Sequence, residues 1–490
     1  MDSDDDDRND ESLEASWARL QSSKTAVKLD VAYDQTRSSS GTVEDAKALE
    51  RSLALESQDK RLRPFGLGVE ACASGRKVVA KRAFAAGDVV LRCATFASAL
   101  LPRHRESRCA ACHAPLESPK RCGGCKAECY CDLACQRAHW RAGHKRECAG
   151  LGTLRRALGD DESEVLDATV ACRAARRLDA APQPSGDDAT TLRPEAADAR
   201  ATVLFAGGEA SARGARVAKA CVDAKFIPEA AATTVASLVD AGRRNNFCVP
   251  DELLGGVAGC LSPIGALLNH SCAPPCAVCY DRGVQCFVAA RAIAEGEEVT
   301  HSYVDRGATT AARRRELAET YGFRCECACC AAPWAARDAL LEGAPDGKTA
   351  AASTPGTAAA LALNERLRAE ATAVDDDDGR EGDLLAAAAA ALDGRVARTH
   401  LAAVATLEAR AHHALATGDI AAALPLFADL AARRDAVYAP LPHARCALDH
   451  LTVAELAGVA GDVALAGEAR TRARALLART NPYHSELQNR

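Results

Sequence analysis

The sequence predicts an α+β, multidomain chain. A small all-β core is interrupted by a cysteine-rich block and a helical insert, closed by a second cysteine-rich segment, and followed by an α-helical C-terminal domain. Three observations carry this. The 490 residues exceed what one hydrophobic core accommodates, so two to four domains are expected. Short apolar runs punctuated by glycine occur at 64–93 and again at 277–303. The 23 cysteines are bunched rather than scattered: eight fall between 109 and 148, five between 260 and 286, and four between 325 and 330.

Composition excludes several classes. Apolar residues make up 48% of the chain, mostly alanine, with 4% aromatics, so the protein is globular. A net charge of −6 gives no general attraction to nucleic acid. No run of about 18 apolar residues is present, which argues against a membrane span. The start, MDSDDDDRND, is acidic and lacks the apolar stretch of a secretory signal, so residence inside the cell, in nucleus and/or cytoplasm, is expected. In a reducing compartment bunched cysteines are expected as metal ligands.

The elements follow in order. Residues 1–60 are acidic and polar, expected disordered apart from a helix around 43–56. Residues 61–108 hold the β-like runs GVEAC, KVVAKRAF and GDVVLRC. The first cysteine block spans 109–148, and 149–244 reads as helical with an interruption at APQPSGDD, 181–188. Residues 245–305 return to strands, with a DRG turn joining two alternating runs, and 306–334 carry the second cysteine block. Residues 335–395 form a low-complexity, helical linker that includes DDDDGREGD at 375–383. From 396 to 490 two helix pairs recur, hinged at Gly418–Asp419 and Gly461–Asp462. That rhythm fits either tetratricopeptide-like (TPR-like) stacking or an ordinary helical bundle.

The block at 109–148 contains Cys109-x2-Cys112, Cys122-x2-Cys125, Cys131-x3-Cys135 and His144-x3-Cys148. Zinc takes four such ligands in a tetrahedron, and each couple offers two that converge on one point. Eight ligands make two closed sites. Cross-bracing alternate couples assigns Cys109, Cys112, Cys131 and Cys135 to one ion, and Cys122, Cys125, His144 and Cys148 to the other. Closed sites leave no room for water, so both ions are structural. Metal binding supplies the folding free energy of so short a segment, on the order of 10–16 kcal/mol per site. Cys129 and His139 stand off the pattern and are expected not to ligate. The ladder resembles the MYND zinc finger.

The stretch LLNHSCAPPC, 267–276, admits three readings: a Cys/His nucleophilic pair, part of a metal site, or a polar turn. GFRCECACC, 322–330, offers Cys325, Cys327 and Cys330 at metal spacing, which leaves a fourth ligand to be found; Cys272 is the candidate. GLG (66–68), NHSC (269–272), EGEEVTHSYVD (295–305) and FRCECACC (323–330) follow the order found in SET-domain protein lysine methyltransferases. With the finger inserted after the first of these, the chain resembles the SET-and-MYND (SMYD-type) subfamily over roughly residues 62–330. The helical tail resembles that subfamily's C-terminal domain.

The resemblance implies S-adenosylmethionine as cofactor and three structural zinc ions. It implies that Asn269 and His270 lie on a knot-like turn beside the cofactor, and that Cys272, Cys325, Cys327 and Cys330 hold the post-SET zinc. A thiol committed to zinc does not also attack, which disfavours the nucleophilic pair. By the same resemblance Asn245, rather than its neighbour Asn246, reaches the cofactor's amino-acid end. Phe323 stacks on adenine, Tyr303 is the active-site tyrosine, Tyr321 walls the lysine channel, and Gly66 and Gly68 let the backbone approach the cofactor. The chain departs from the family in having Ala273-Pro274-Pro275 after NHSC, Leu261 in place of a tyrosine, and Leu67 where a basic residue is frequent.

The implied function is S-adenosylmethionine-dependent methylation of a lysine on a protein substrate, a histone tail or a cytosolic protein. The alternative is a non-catalytic adaptor that binds protein partners through the finger and the helical tail. HWRAGHKREC is basic, but no stripe of basic and aromatic residues accompanies it, so direct DNA binding ranks below both.

Overall fold

A computed structural model describes residues 56–72, 75–159, 161–179, 190–200, 210–331, 336–346, 350–353, 355–373 and 380–488. The N-terminal segment up to residue 55, the interruption at 181–188 and residues 374–379 lie outside the described residues.

After a helical lead-in that ends in a 3-10 turn at Arg63–Phe65, the β region opens with an antiparallel hairpin, β1 (Leu67–Cys72) and β2 (Gly75–Ala80), in which Leu67 faces Ala80. Strand β3 (Val89–Ala94) follows, then β4 (Ala97–Leu100). The cysteine block is built on a two-residue ladder, β5 (Lys120–Arg121) with β6 (Cys129–Tyr130), and helix α1 (Leu133–His139). Four longer helices make the insert: α2 (Leu151–Leu158), α3 (Glu162–Asp179), α4 (Ala212–Asp223) and α5 (Ala232–Asn245). Their apolar faces, with Leu154, Val170, Val217, Phe226, Val235 and Leu238, form one core that also covers β4 and Leu261.

The strands then resume as β7 (Asn246–Pro250), β8 (Gly256–Leu261), β9 (Cys276–Asp281) and β10 (Val284–Ala289). Two three-stranded antiparallel sheets result, ordered β3-β10-β9 and β4-β8-β7. The DRG turn is a two-residue hairpin loop: Asp281 pairs with Val284 while Arg282 (φ 48°) and Gly283 (φ 84°) both take positive φ. That is the turn whose twist matches its flanking strands. Central strand β10 is buried along nearly its whole length, so it reads as a continuous apolar run broken by Gln285. Gln285 donates to the Tyr280 hydroxyl at 3.2 Å, which satisfies its amide in the core. Leu62, Leu67, Phe84, Leu91, Ile264, Leu267, Phe287 and Val299 pack into the core of the β region.

Residues 310–321 form helix α6 (Thr310–Tyr321), capped by the Thr309 side chain. The tail consists of α7 (Pro355–Ala373), α8 (Arg380–Leu392), α9 (Leu401–Ala416), α10 (Ile420–Tyr438), α11 (Ala444–Ala460) and α12 (Val463–Leu477). Both hinges work as read. Gly418 and Gly461 take the positive φ that ends a helix, and the Asp419 and Asp462 carboxylates cap the next helix at Ala422 and Leu465. The linker region supplies α7 and α8, whose Asn364 amide bridges Ala388 O and Thr406 Oγ1, each at 2.8 Å. The tail docks on the β region through the Tyr438 hydroxyl to Asp305 (3.0 Å) and Arg306 to the Pro442 carbonyl (2.8 Å).

Candidate active site and metal centres

All 23 cysteines are free thiols. Twelve ligand atoms gather into three groups of four, and within each group all lie within 4.8 Å of one another: Cys109, Cys112, Cys131 and Cys135; Cys122, Cys125, His144 and Cys148; Cys272, Cys325, Cys327 and Cys330. A tetrahedron with Zn–S of about 2.3 Å has sulfur–sulfur edges of about 3.8 Å. The Sγ separations are 3.6 Å for Cys112–Cys131, 3.7 Å for Cys122–Cys148, and 3.4 and 4.0 Å from Cys272 to Cys330 and Cys325. Zinc fits all three.

Local geometry explains the finger. His113 (φ 61°) and Lys126 (φ 57°) turn the chain just after the second cysteine of a couple, and the Asp132 carboxylate caps α1 at the Cys135 N–H, 2.8 Å away. His144 Nε2 faces Cys122 and Cys125 at 3.4 and 3.6 Å, while its Nδ1 donates to Glu147 Oε1 at 3.2 Å. A carboxylate behind a ligating imidazole fixes its tautomer and raises its basicity. Glu147 is 1% exposed. Burial alone would raise its pKa, but Arg173 at 2.6 Å and the His144 hydrogen bond hold it well below the usual carboxylate range. Arg173 also donates to Glu128 (3.1 Å) and to the Ser98 carbonyl (2.7 Å), tying the finger to α3 and β4. His139 stacks on His144 and bonds the Tyr130 hydroxyl at 3.0 Å, outside the four-ligand groups, as is Cys129.

The stretch 269–272 runs alongside 301–303. The His301 N–H donates to Asn269 O (3.1 Å), the Ser271 N–H to His301 O (3.0 Å), and the Tyr303 N–H to His270 Nδ1 (3.0 Å). Burial pushes the His270 pKa down to about 4, so the ring is neutral at pH 7. With Nδ1 accepting, its proton resides on Nε2, 3.3 Å from Cys272 Sγ. Asn269 donates to the Arg76 carbonyl (2.7 Å) and to Glu298 (2.9 Å).

Beside this crossing lies a cavity of about 390 Å³, whose walls include Asn245, Asn246, Phe247, Tyr280, His301, Tyr303 and Tyr321. The Tyr303 hydroxyl donates to Leu268 O at 2.8 Å, which leaves its lone pairs available. Burial raises the Tyr303 and Tyr321 pKa values, so both phenols stay protonated. The two rings meet at 4.8 Å, and His301 lies 4.8 Å from Tyr303.

Of the expected cofactor and catalytic residues, the cavity thus takes in Asn245, Tyr303 and Tyr321. Asn245 turns its amide back to Ala241 O at 2.9 Å. His270 borders the cavity through Tyr303 (5.3 Å between rings) and approaches Phe323 (6.0 Å), which is 37% exposed. Gly66 and Gly68 are not among the cavity walls; a Cβ at Gly66 would meet the Arg82 side chain, and one at Gly68 the Lys81 side chain. Sequence reasoning missed His301, Tyr280, Glu147 and Arg313. Only Glu147 carried a signal, standing three residues after His144 on a helical turn.

A sequence model of the SET domain matches residues 75–304. The N-lysine methyltransferase SMYD2-A of Danio rerio is 29% identical over 266 residues, covering 52% of this chain and 58% of that protein. Residues 75–304 match the SET domain, and the chain is similar to N-lysine methyltransferases of the SMYD2 type. SMYD2 of Gallus gallus is 29% identical over 279 residues (54% and 60% covered), and SMYD2 of Homo sapiens 27% over 256 residues (52% and 58%). The chain therefore spans somewhat more than half the length of the curated relatives it matches. A crystal structure of the SET domain of LSMT bound to lysine and AdoHcy aligns over 89% of this chain and 95% of that one. Its TM-score is 0.29 at 12% identity, too distant to argue from.

Proposed function

We propose that this SET-domain chain is an S-adenosylmethionine-dependent protein lysine N-methyltransferase with three structural zinc ions. The observation that carries it is the junction of the Tyr303–Tyr321 cavity with the Asn269–His270 crossing, in a chain similar to N-lysine methyltransferases. S-adenosylmethionine supplies a sulfonium methyl group. The chain's own residues align and desolvate the amine. Neutralising a lysine of pKa about 10.4 at pH 7 costs about 4.6 kcal/mol, and an apolar, aromatic channel reduces that cost by disfavouring the ammonium. Tyr303, held by Leu268 O, turns its free lone pairs to accept an amine hydrogen, and Tyr321 forms the facing wall. Orientation of this kind lowers barriers by roughly 7–11 kcal/mol.

The substrate is a protein, a histone tail or a cytosolic protein, and the chain acts inside the cell. The finger adds a partner surface: Leu133 (60% exposed) opens α1 and Trp140 (40%) follows directly on its end. The deciding test titrates S-adenosylmethionine into zinc-loaded protein by calorimetry, beside the Asn269→Ala/His270→Ala double variant. Saturable binding that the double variant loses is the expected result. Absence of binding to folded, zinc-replete wild type rejects the enzyme reading in favour of the adaptor. With a protein substrate in hand, Tyr303→Phe should lower methyl transfer about 100-fold, near 2.7 kcal/mol of barrier, with cofactor affinity unchanged.

A further inference from the structure

Among the fully buried side chains the largest is Arg313, at 0% exposure in the first turn of α6. A guanidinium does not shed its proton in a protein, so a buried one needs anionic or hydrogen-bonding partners. Among the described residues no carboxylate pairs with it. Its Nε lies 3.2 Å from Cys272 Sγ, and its Nη2 3.7 Å from both Cys329 and Cys330 Sγ. Thr310 Oγ1 at 3.0 Å and the Ala308 carbonyl accept from Nη2 and Nη1. Neutral thiols would leave this cation uncompensated. Four thiolates around a divalent ion carry a net charge of −2, and Arg313 halves it. Cys272 receives a second donor, the Nε2–H of His270 at 3.3 Å.

We propose that Arg313 and His270 form a pair of N–H···S donors on Cys272 that makes metal occupancy of the third cluster and ligand occupancy of the cofactor pocket depend on each other. Arg313 acts as a positioning residue. Loss of the ion removes its counter-charge and loosens α6, whose last residue, Tyr321, walls the cavity. His270 carries the same signal to Tyr303 through the Tyr303 N–H. The pocket half of this proposal rests on the methyltransferase reading, whereas the metal half does not. By linkage, a ligand that binds better to the zinc-filled form must raise the zinc affinity of the third site by the same factor, and slower zinc loss is the expected kinetic sign of it.

The experiment follows zinc release from the full-length, zinc-loaded chain into a chromogenic chelator, with and without saturating S-adenosylhomocysteine. Cys327→Ser, which lacks the third site, identifies that site's phase. Arg313→Met should release the third zinc at least about tenfold faster than wild type, the usual consequence of removing an outer-shell partner, with the finger phases unchanged. Arg313→Lys, a cation without the fork, should fall between. S-adenosylhomocysteine should slow the third phase in wild type and much less in Arg313→Met. Arg314→Met is the control, because Arg314 holds the Cys325 and Cys330 carbonyls at 3.2 and 2.6 Å and reaches no sulfur. Equal acceleration in Arg314→Met, or a third phase unchanged in Arg313→Met, overturns the proposal. If S-adenosylhomocysteine leaves the wild-type third phase unchanged although it binds, the coupling is wrong. If it does not bind at all, the methyltransferase reading and the coupling fall together, while faster release from Arg313→Met would still support the hold on the metal.

Discussion

The second cluster of the finger and the cluster at Cys272 each hold four ligands, yet their outer partners carry opposite charge. Behind His144 stands a carboxylate, Glu147, itself neutralised by Arg173 and Arg176 from α3. Against Cys272 stands a guanidinium, Arg313. The ligand sets account for this: a neutral imidazole gains basicity from an anion, whereas four thiolates need relief from their own charge. Reach differs as well. The finger's ligands lie within one short segment, so its metal organises the finger itself. Cys272 and Cys325 come from opposite sides of two strands and α6, so the third metal fastens separate parts of the SET domain around the cavity.

That contrast is open to attack in several ways. The largest effect is expected from Glu147→Gln, which leaves Arg173 with Glu128 as its one carboxylate and takes from Arg176 its carboxylate partner in a buried seam; it should cost about 3 kcal/mol, read as a drop in thermal midpoint with cofactor binding retained in the folded protein. A shift of only a degree or two would mean that the seam is not a fastening. Next comes the pair Cys327→Ser and Cys125→Ser. On the proposed methyltransferase reading the first should lower methyl transfer about 100-fold, near 2.7 kcal/mol, while two zinc ions remain on metal analysis; the second should lose finger zinc and keep cofactor affinity. Equal loss of cofactor binding in both would erase the distinction between the regions.

Acid offers a smaller test on the cavity side. Burial pushes the His301 pKa from 6.5 down to about 3, so the folded chain refuses a proton that the unfolded chain accepts. Its stability contribution is whole above pH 6.5 and drains as pH falls toward 3, by about 2 kcal/mol at pH 5. His301→Asn should flatten the fall between pH 7 and 5 in paired melts; parallel curves would sink this assignment. The smallest change is expected from Tyr438→Phe, which removes the bond to Asp305 at the tail seam. It should cost about 1 kcal/mol in chemical denaturation, with zinc content untouched.

The grouping of eleven of the twelve cysteine and histidine positions was legible because metal chemistry writes itself as spacing, a couple two or three residues apart being already half a site; Cys272, alone in its stretch, was a candidate only as the missing fourth ligand. The hinges at Gly418–Asp419 and Gly461–Asp462 were legible for a similar local reason, a left-handed helix end followed by a capping carboxylate. Arg313 was hidden. It sits in RRR at 313–315, where nothing distinguishes the buried arginine from its neighbours until α6 packs against Cys272. His301 was hidden because its role depends on Phe247 and Phe287, distant in sequence, closing on it at 5.5 and 5.4 Å. GLG at 66–68 lies beside the Arg82 and Lys81 side chains, which a Cβ at either glycine would meet.

The pairing of β4 and β7 on either side of β8 has a consequence for how the chain is made. Both flanking strands run the same way, so the polypeptide must travel back the length of the sheet between them, and the finger and α2–α5 are that return path. On the ribosome every finger ligand emerges long before Ala258, the partner of Leu100, has been synthesised. All the finger's ligands are thus exposed to metal before its host sheet can close, whereas the core that Cys109, Cys122 and Tyr130 share with Val249 and Val257 waits on long-range closure, the slow step in folds dominated by distant contacts.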